Sequence, residues 1–369
     1  MQSESDPKRV FVAAGGTGGH VFPAAALTAE LLKRDYLVHW LTDDRVSSYD
    51  EAFLGARIHR VSSATFARKS PVALARGAIQ LLTGFYESRQ LIKRYQPDLI
   101  VGFGGYPTFP PLYMGQKLGV PTCIHEQNAV LGRANKAVLK NIHAVAMSLP
   151  QTRGLDGHAR TIHTGNPVRP EVIEAADRPY PTMGGHLPFR LLVFGGSQGA
   201  QFLSEVVPAA FELLPEDKRN LVSVVQQCRP ENLSTTLARY RALGMSIELE
   251  TFFEDLPQRM AESHLVISRA GASTVSELAV IGRPAILIPY PGALDHDQRL
   301  NAEGLAEAGG AWIREQADLT PERLAGDLSA LLDEPEKLWT AASAAKSAGY
   351  PDAAVRLADL VDELTHNSN

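Results

Sequence analysis

The chain reads as an α/β protein made of two similar doubly wound halves, and three observations predict this. First, an apolar run, Val10 to Ala14, empties into a turn of Gly15, Gly16, Thr17, Gly18 and Gly19 ahead of a helical pattern that opens near His20. Second, the design returns 180 residues later in LLVFGGSQG (191–199), where Gly195, Gly196, Ser197 and Gly199 stand on Gly15, Gly16, Thr17 and Gly19. Third, strand-like and helix-like segments alternate along both halves, the pattern of parallel sheets with helical crossovers.

Taken in order, Ala24, Leu27 and Leu31 recur at helical spacing, and residues 37–41 alternate as a strand that ends at Asp43 and Asp44. Residues 71–94 read as an amphipathic helix or helix pair, and 98–103 as a buried strand running into a third glycine turn, GFGGYP (102–107). A strand at 120–124 leads to the polar loop HEQN (125–128), a helix spans about 131–140, and strands follow near 143 and 161. Five prolines and the pair Gly184 and Gly185 mark 166–188 as a connecting stretch. Strands near 191, 221, 247, 265, 285 and 311 then repeat the architecture, and a helical tail rich in Ala and Leu closes the chain. The expected organisation is a first domain over 7–168, a linker over 169–188, a second domain over 189–345 and a tail over 346–369. In such sheets ligands lie at the carboxyl ends of the strands, the edge that carries the glycine and polar loops.

A chain of 369 residues exceeds what one core usually supports, which agrees with two domains. With 44% hydrophobic and 21% charged residues the composition is that of a globular protein, and the polar N-terminus gives no expectation of a secretory signal. Cys123 and Cys228, in strand-like settings of different halves, are expected to be buried free thiols in a reducing compartment. A net charge of −5 argues against general nucleic-acid binding. It conceals a local excess between 57 and 95, where Arg57, Arg60, Arg68, Lys69, Arg76, Arg89, Lys93 and Arg94 face only Glu87.

Glycine turns that open helices are anion sites, because backbone N–H groups and the helix dipole point at the same space. GGTGGH is not a dinucleotide fingerprint, since Val21 stands where glycine is required, nor a Walker loop, although Asp43 sits where a ribose-binding acid would. His20, beside the turn, is either a solvated first-turn residue or a general base, and the imidazole chemistry favours the base. In SRAGASTVSE (268–277), Thr274 and Glu277 have capping-box spacing, while a second helix start beside GGSQG would complete a phosphate cradle in which Glu277 accepts from ribose hydroxyls. Asp295 and Asp297 have Asp-x-Asp spacing without further ligands, so hydrogen bonding by Gln298 is the stronger reading there and no metal is expected. Arg169, between the anion loops, suits a pyrophosphate.

Taken together and in this order, GGTGGHVFP, GFGGYPTFPP, HEQNAVLGRANK, GNPVR, GGSQGA and AGASTVSE closely resemble the MurG family of peptidoglycan glycosyltransferases. The resemblance implies a GT-B fold, with two Rossmann-like domains facing across a cleft. It also implies transfer of N-acetylglucosamine from UDP-N-acetylglucosamine to the lipid acceptor undecaprenyl-pyrophosphoryl-N-acetylmuramoyl-pentapeptide (lipid I), without a cofactor.

By position the resemblance assigns the donor to Thr17, Gly18, Gly19, Asn128, Arg169, Ser197, Phe253, Ala272, Ser273, Thr274, Val275, Ser276, Glu277 and Gln298. Phe253 replaces a common aliphatic residue, Ser273 a common leucine, and Asp297 a position that can be glutamine. His20 is the expected base, with Glu126 as the other candidate, and Gly104, Gly105 and Tyr106 are expected to grip the acceptor pyrophosphate. The basic region with Leu74 to Tyr86 is expected to attach the protein to an anionic membrane, on the cytoplasmic face, where cell-wall assembly proteins are possible partners.

Overall fold

The structure is a computed structural model that describes residues 7–15, 17–43, 55–64, 70–155, 157–158, 160–182, 188–196, 200–245, 247–293 and 296–366. The chain divides into two compact units, Met1–Arg169 with Pro351–Asn369, and Pro170–Tyr350.

The first unit is built on strands β1 (Arg9–Ala13), β2 (Leu37–Thr42), β3 (Arg57–Arg60), β4 (Leu99–Gly102), β5 (Thr122–Glu126), β6 (Ala144–Met147) and β7 (Thr161–His163). They form one parallel sheet in the order β3-β2-β1-β4-β5-β6-β7. Its helices are α1 (Gly18–Lys33), α2 (Pro71–Tyr95), α3 (Phe109–Leu118) and α4 (Arg133–Val138). Successive side chains of β1 leave opposite faces, so Val10 and Val12 join one core with Leu27 and Leu31, while Phe11 and Ala13 join another with Ile92 and Leu112. A strand covered on both faces must be apolar throughout, which is why this run carries no polar alternation.

The second unit repeats the plan with β8 (Phe189–Phe194), β9 (Val222–Gln227), β10 (Ile247–Glu250), β11 (Leu265–Ser268), β12 (Ala285–Leu287) and β13 (Ala311–Ile313), in the order β10-β9-β8-β11-β12-β13. Around this sheet come α5 (Pro170–Ala176), α6 (Gln201–Leu213), α7 (Glu216–Arg219), α8 (Leu233–Ala242) and α9 (Leu256–Glu262). They are followed by α10 (Ala272–Ile281), α11 (Asp297–Glu307), α12 (Pro321–Asp333) and α13 (Pro335–Ser347). In both sheets the winding direction reverses beside the first strand, between β1 and β4 and between β8 and β11. Loops leaving such neighbours diverge and open a crevice for ligands. The glycine turns of the first half and the loop before α10 all start there.

Three expectations change. The stretch 169–188 is not wholly a connector, because α5 packs on α9 and α10 within the second unit. Behind it the buried Arg283 guanidinium donates to the carbonyls of Arg178 and Pro179 at 3.3 and 3.1 Å and to those of Ala261 and Ile281 at 3.0 and 2.9 Å. The stretch 346–369 is not one tail: α13 ends in the second unit, whereas α14 (Ala353–His366) belongs to the first. Its apolar stripe, Leu357, Leu360, Val361 and Leu364, completes the core beside α1. Arg34 anchors it through Asp359 and Asp362 at 2.8 and 2.6 Å. Finally, 71–95 is one continuous helix.

Removing one of these buried contacts should be felt in the first unit. Leu357→Ala is expected to cost about 2–5 kcal/mol, the usual penalty for a buried leucine that leaves a cavity. Denaturant unfolding read by the fluorescence of Trp40, buried in that unit, with Trp312 and Trp339 of the second unit replaced by Phe, measures it; an unchanged midpoint would place α14 elsewhere.

Candidate active site

Two glycine turns meet at the reversal point of the first sheet. A side chain cannot stand between them: a Cβ on Gly15 would lie 2.5 Å from Pro107 Cγ, and one on Gly105, whose φ is +81°, would lie 2.7 Å from the Gly15 carbonyl oxygen. Gly104 is also left-handed, with φ of +88°. The absence of Cβ atoms lets the His20 ring lie against this turn, with its Cε1 3.2 Å from where a Gly104 Cβ would be. Thus His20, Gly104 and Gly105 form one surface, with Tyr106 exposed at its edge.

Thr17 is the extended N-cap residue of α1, and its side chain makes no cap bond. The first turn of α1, with Gly18 and Gly19, therefore has no side-chain cap. Arg169 lies over the Phe22 ring of this helix at 4.4 Å, which brings its guanidinium to the same end of the unit.

The end of β5 supplies the third wall. Glu126 is buried and its carboxylate accepts from Asn128 N at 3.0 Å, Asn128 Nδ2 at 3.3 Å, Gly132 N at 2.9 Å and Asn135 Nδ2 at 2.8 Å. It thereby ties the loop after β5 to the start of α4 and holds Asn128 in place. Gln127 accepts at Oε1 from His20 Nδ1, 3.1 Å away, and contacts His125. Burial pushes the His20 pKa down; the bond to Gln127, the Glu126 charge and the Phe103 carbonyl oppose it. A histidine so placed is neutral near pH 7, the state a base requires.

In the second unit, α10 begins at Ala272 after Gly271, with no side-chain cap. Thr274 is therefore inside the helix, and the capping-box alternative does not form. Of the stretch 272–277, Val275 and Glu277 are buried, and Ser276 donates back to the Ala272 carbonyl at 2.9 Å. The buried Ser273 hydroxyl has no hydrogen-bond partner. Gln298 accepts from Tyr290 N at 2.9 Å. Phe253 faces inward with Arg259 over its ring at 4.6 Å, and Phe252 is the exposed aromatic of the pair. Ser197, Gly199, Asp44 and Asp295 lie outside the described residues, and so do Arg68 and Lys69. Among the described residues no group of three or more His, Cys, Asp or Glu side chains is arranged to hold a metal ion.

The sequence pattern alone did not single out four residues at these loops. Asn135 holds Glu126, and Gln127 and His125 hold His20. Arg269 sets the loop before Gln298, donating to the Ile288 and Pro289 carbonyls at 3.2 and 3.3 Å. All four lie inside or beside the quoted motifs; Asn135 meets Glu126 within one motif, whereas Gln127, His125 and Arg269 find His20, Gly165 and the Ile288 and Pro289 carbonyls in other segments.

Residues 10–147 match the glycosyltransferase family 28 N-terminal domain, and residues 190–357 match the family 28 C-terminal domain. The fold and these domains define a GT-B glycosyltransferase. A Brucella canis protein named UDP-N-acetylglucosamine--N-acetylmuramyl-(pentapeptide) pyrophosphoryl-undecaprenol N-acetylglucosamine transferase is 52% identical over 96% of this chain and 94% of its own. One of the same name from Mesorhizobium japonicum is 51% identical over 96% and 95%. The crystal structure of Acinetobacter baumannii MurG superposes with a TM-score of 0.78 at 30% identity, covering 97% of this chain and 100% of that one. The chain belongs to the MurG family. A UDP-GlcNAc 2-epimerase from Neisseria meningitidis, 12% identical with a TM-score of 0.69, covers 96% of this chain and 100% of its own, and shares the fold alone.

Two outcomes follow from this geometry. Glu126→Ala leaves the Asn128 and Gly132 amides without their acceptor, so both should exchange with solvent faster by mass-spectrometric hydrogen exchange, while exchange in α10 stays unchanged. Burial also holds His125 down to about 4 from 6.5. Between these values the unfolded chain binds a proton that the folded one refuses, so stability falls as pH drops through that window, by roughly 1.4 kcal/mol per unit. Denaturant titrations from pH 7 to pH 5 should show this slope added to that of the other histidines held below 6.5, His39 among them, and His125→Gln should reduce the total by about the His125 share.

Proposed function

We propose that this protein transfers N-acetylglucosamine from UDP-N-acetylglucosamine to the 4-hydroxyl of the muramoyl sugar of lipid I, giving lipid II with inversion at the anomeric carbon. The observation that carries this reading is the 52% identity across nearly the whole chain to enzymes bearing that name. The first unit takes the acceptor and the second the sugar nucleotide.

His20 is the base. Its ring is neutral near pH 7 and lies on the Gly104–Gly105 turn, where the acceptor diphosphate would meet backbone amides and Tyr106. Glu126 is less suited to the role, because its oxygens already accept from four N–H groups. As the glycosidic bond breaks, negative charge grows on the leaving UDP. Helix N-termini stabilise such charge, and Arg169 adds a guanidinium. We assign the donor diphosphate to Ser197 and Ala272 to Ser276 of the second unit, and keep Thr17, Gly18 and Gly19 as the donor positions that the resemblance gives in the first. Glu277 and Gln298 serve ribose and sugar hydroxyls, Asn128 serves the sugar, and Phe253 supports the base-binding loop by packing.

The membrane assignment is supported by α2. This helix buries Gly77, Gly84, Ser88 and Ile92 and packs Phe85 on Phe109 and Tyr113, yet it exposes Val72, Leu74, Ile79, Leu82 and Tyr86. Gly84 is where the backbone comes close, since a Cβ there would lie 2.1 Å from the Ser62 carbonyl oxygen. Bases on and beside the helix add about 1 kcal/mol each at an anionic surface. No helix among the described residues is long and apolar enough to cross a membrane. The protein would thus lie on the cytoplasmic leaflet that holds lipid I, within reach of cell-wall assembly proteins.

Transfer of radiolabel from UDP-N-acetylglucosamine to a short-chain lipid I analogue tests the reaction; release of free sugar or an epimer without transfer would refute it. His20→Ala should lower transfer by ~10²-fold or more while UDP still binds by calorimetry. Ile79→Ser with Leu82→Ser should cut flotation with anionic vesicles and leave binding of UDP intact; equal flotation on neutral and anionic vesicles would remove the membrane assignment.

A further inference from the structure

Behind His20 runs a line of buried hydrogen bonds whose direction follows from the chemistry of its ends. Gln127 Nε2 lies 3.0 Å from the His125 carbonyl oxygen, which can only accept, so the amide nitrogen faces that way and Oε1 faces His20. An amide oxygen also only accepts, and therefore the proton in the 3.1 Å contact belongs to His20 Nδ1. On the other side, Gln127 Nε2 donates its second hydrogen to His125 Nδ1 at 3.0 Å, leaving the His125 proton on Nε2, which donates to the Gly165 carbonyl at 3.0 Å. Reversing the Gln127 amide would set oxygen against oxygen at His125. His125 and Gln127 are 0% and 2% exposed, so water does not compensate for a reversed arrangement.

We propose that Gln127, oriented by His125, is the positioning residue that holds His20 in its Nδ1–H tautomer and turns the Nε2 lone pair toward the acceptor hydroxyl. This rests on the reading of His20 as the base and adds how that base is kept ready. In the transfer step Nε2 takes the hydroxyl proton as oxygen bonds to the anomeric carbon and UDP departs with the electron pair of the broken bond. The resulting imidazolium keeps its Nδ1–H···Oε1 bond. His125 stays neutral through this step, since burial holds its pKa at about 4.

The groups that act on the His20 proton are Gln127, the Glu126 carboxylate from the end of β5 and the Phe103 carbonyl beyond β4, all of which raise its pKa against burial. Removing Gln127 should lower it. The first measurement is the ¹⁵N spectrum of the full-length protein labelled at histidine, at neutral pH. His20 is expected to carry its proton on Nδ1 and His125 on Nε2, and His20 protonated on Nε2 overturns the proposal whether or not any variant folds. The second is Gln127→Met, close in size, unable to donate and only a weak acceptor. It should lower kcat for the lipid I analogue by roughly 10- to 100-fold, shift the acidic limb of the kcat profile to lower pH, move His20 toward the Nε2–H tautomer and leave UDP affinity unchanged. If His20→Ala abolishes transfer but Gln127→Met changes neither kcat nor the limb, the positioning role falls and the base remains. If His20→Ala transfers at the normal rate, both fall.

Discussion

The site depends on one steric fact: two backbone turns approach each other so closely that neither tolerates a Cβ. The Gly15 carbonyl and Gly105 meet where β1 and β4 diverge, and Gly102 at the end of β4 is as tightly enclosed, a Cβ there falling 2.5 Å from Leu112 Cδ1. This contact brings loops from two strands into one surface and gives the first turn of α1 a wall to lean on. His20 occupies the angle between them. Glycine costs backbone entropy, but a larger residue here would separate the turns and remove the seat of the imidazole.

Around that seat the polar groups are mostly paired, although the buried Asn135 Oδ1 and the Asn166 amide have no hydrogen-bond partner among the described residues. Glu126 gathers donors from the loop after β5 and from α4, which keeps that loop closed although it contains little apolar weight. Gln127 and His125 extend the order inward, to the Gly165 carbonyl after β7. A buried network of this kind is costly when incomplete and specific when complete. In the second unit the same strand order supports a different solution, in which the Arg269 guanidinium collects backbone carbonyls and fixes the loop that leads to Gln298.

Two helices depart from the usual division of apolar and polar faces. Helix α2 packs on the body through Gly77, Gly84 and Ser88 with Phe85 and Ile92, yet carries Val72, Leu74, Ile79, Leu82 and Tyr86 outward, which is economical only if another apolar phase receives them. Helix α14 does the reverse: a strongly amphipathic end segment leaves the unit that precedes it and covers α1, held by Arg34 and by the Tyr36 hydroxyl on Asp362 at 2.5 Å. Each case is a question of which surface a helix meets, not of whether a helix forms.

By itself the sequence determined the local chemistry: the glycine turns at 15–19, 102–107 and 195–199, a helix opening within SRAGASTVSE, the doubled α/β plan and the kinship announced by six ordered motifs. These are legible because left-handed φ, tight turns and alternating strands are properties of neighbouring residues. Only the tertiary structure decided that Glu126 anchors a loop, that Phe253 faces inward, that the last helix joins the first unit and that Gln127 grips His20. Those two residues stand 107 positions apart. No pattern of adjacent side chains records a contact between distant strands, because it is created by the winding of the sheet that sets β5 two places from β1.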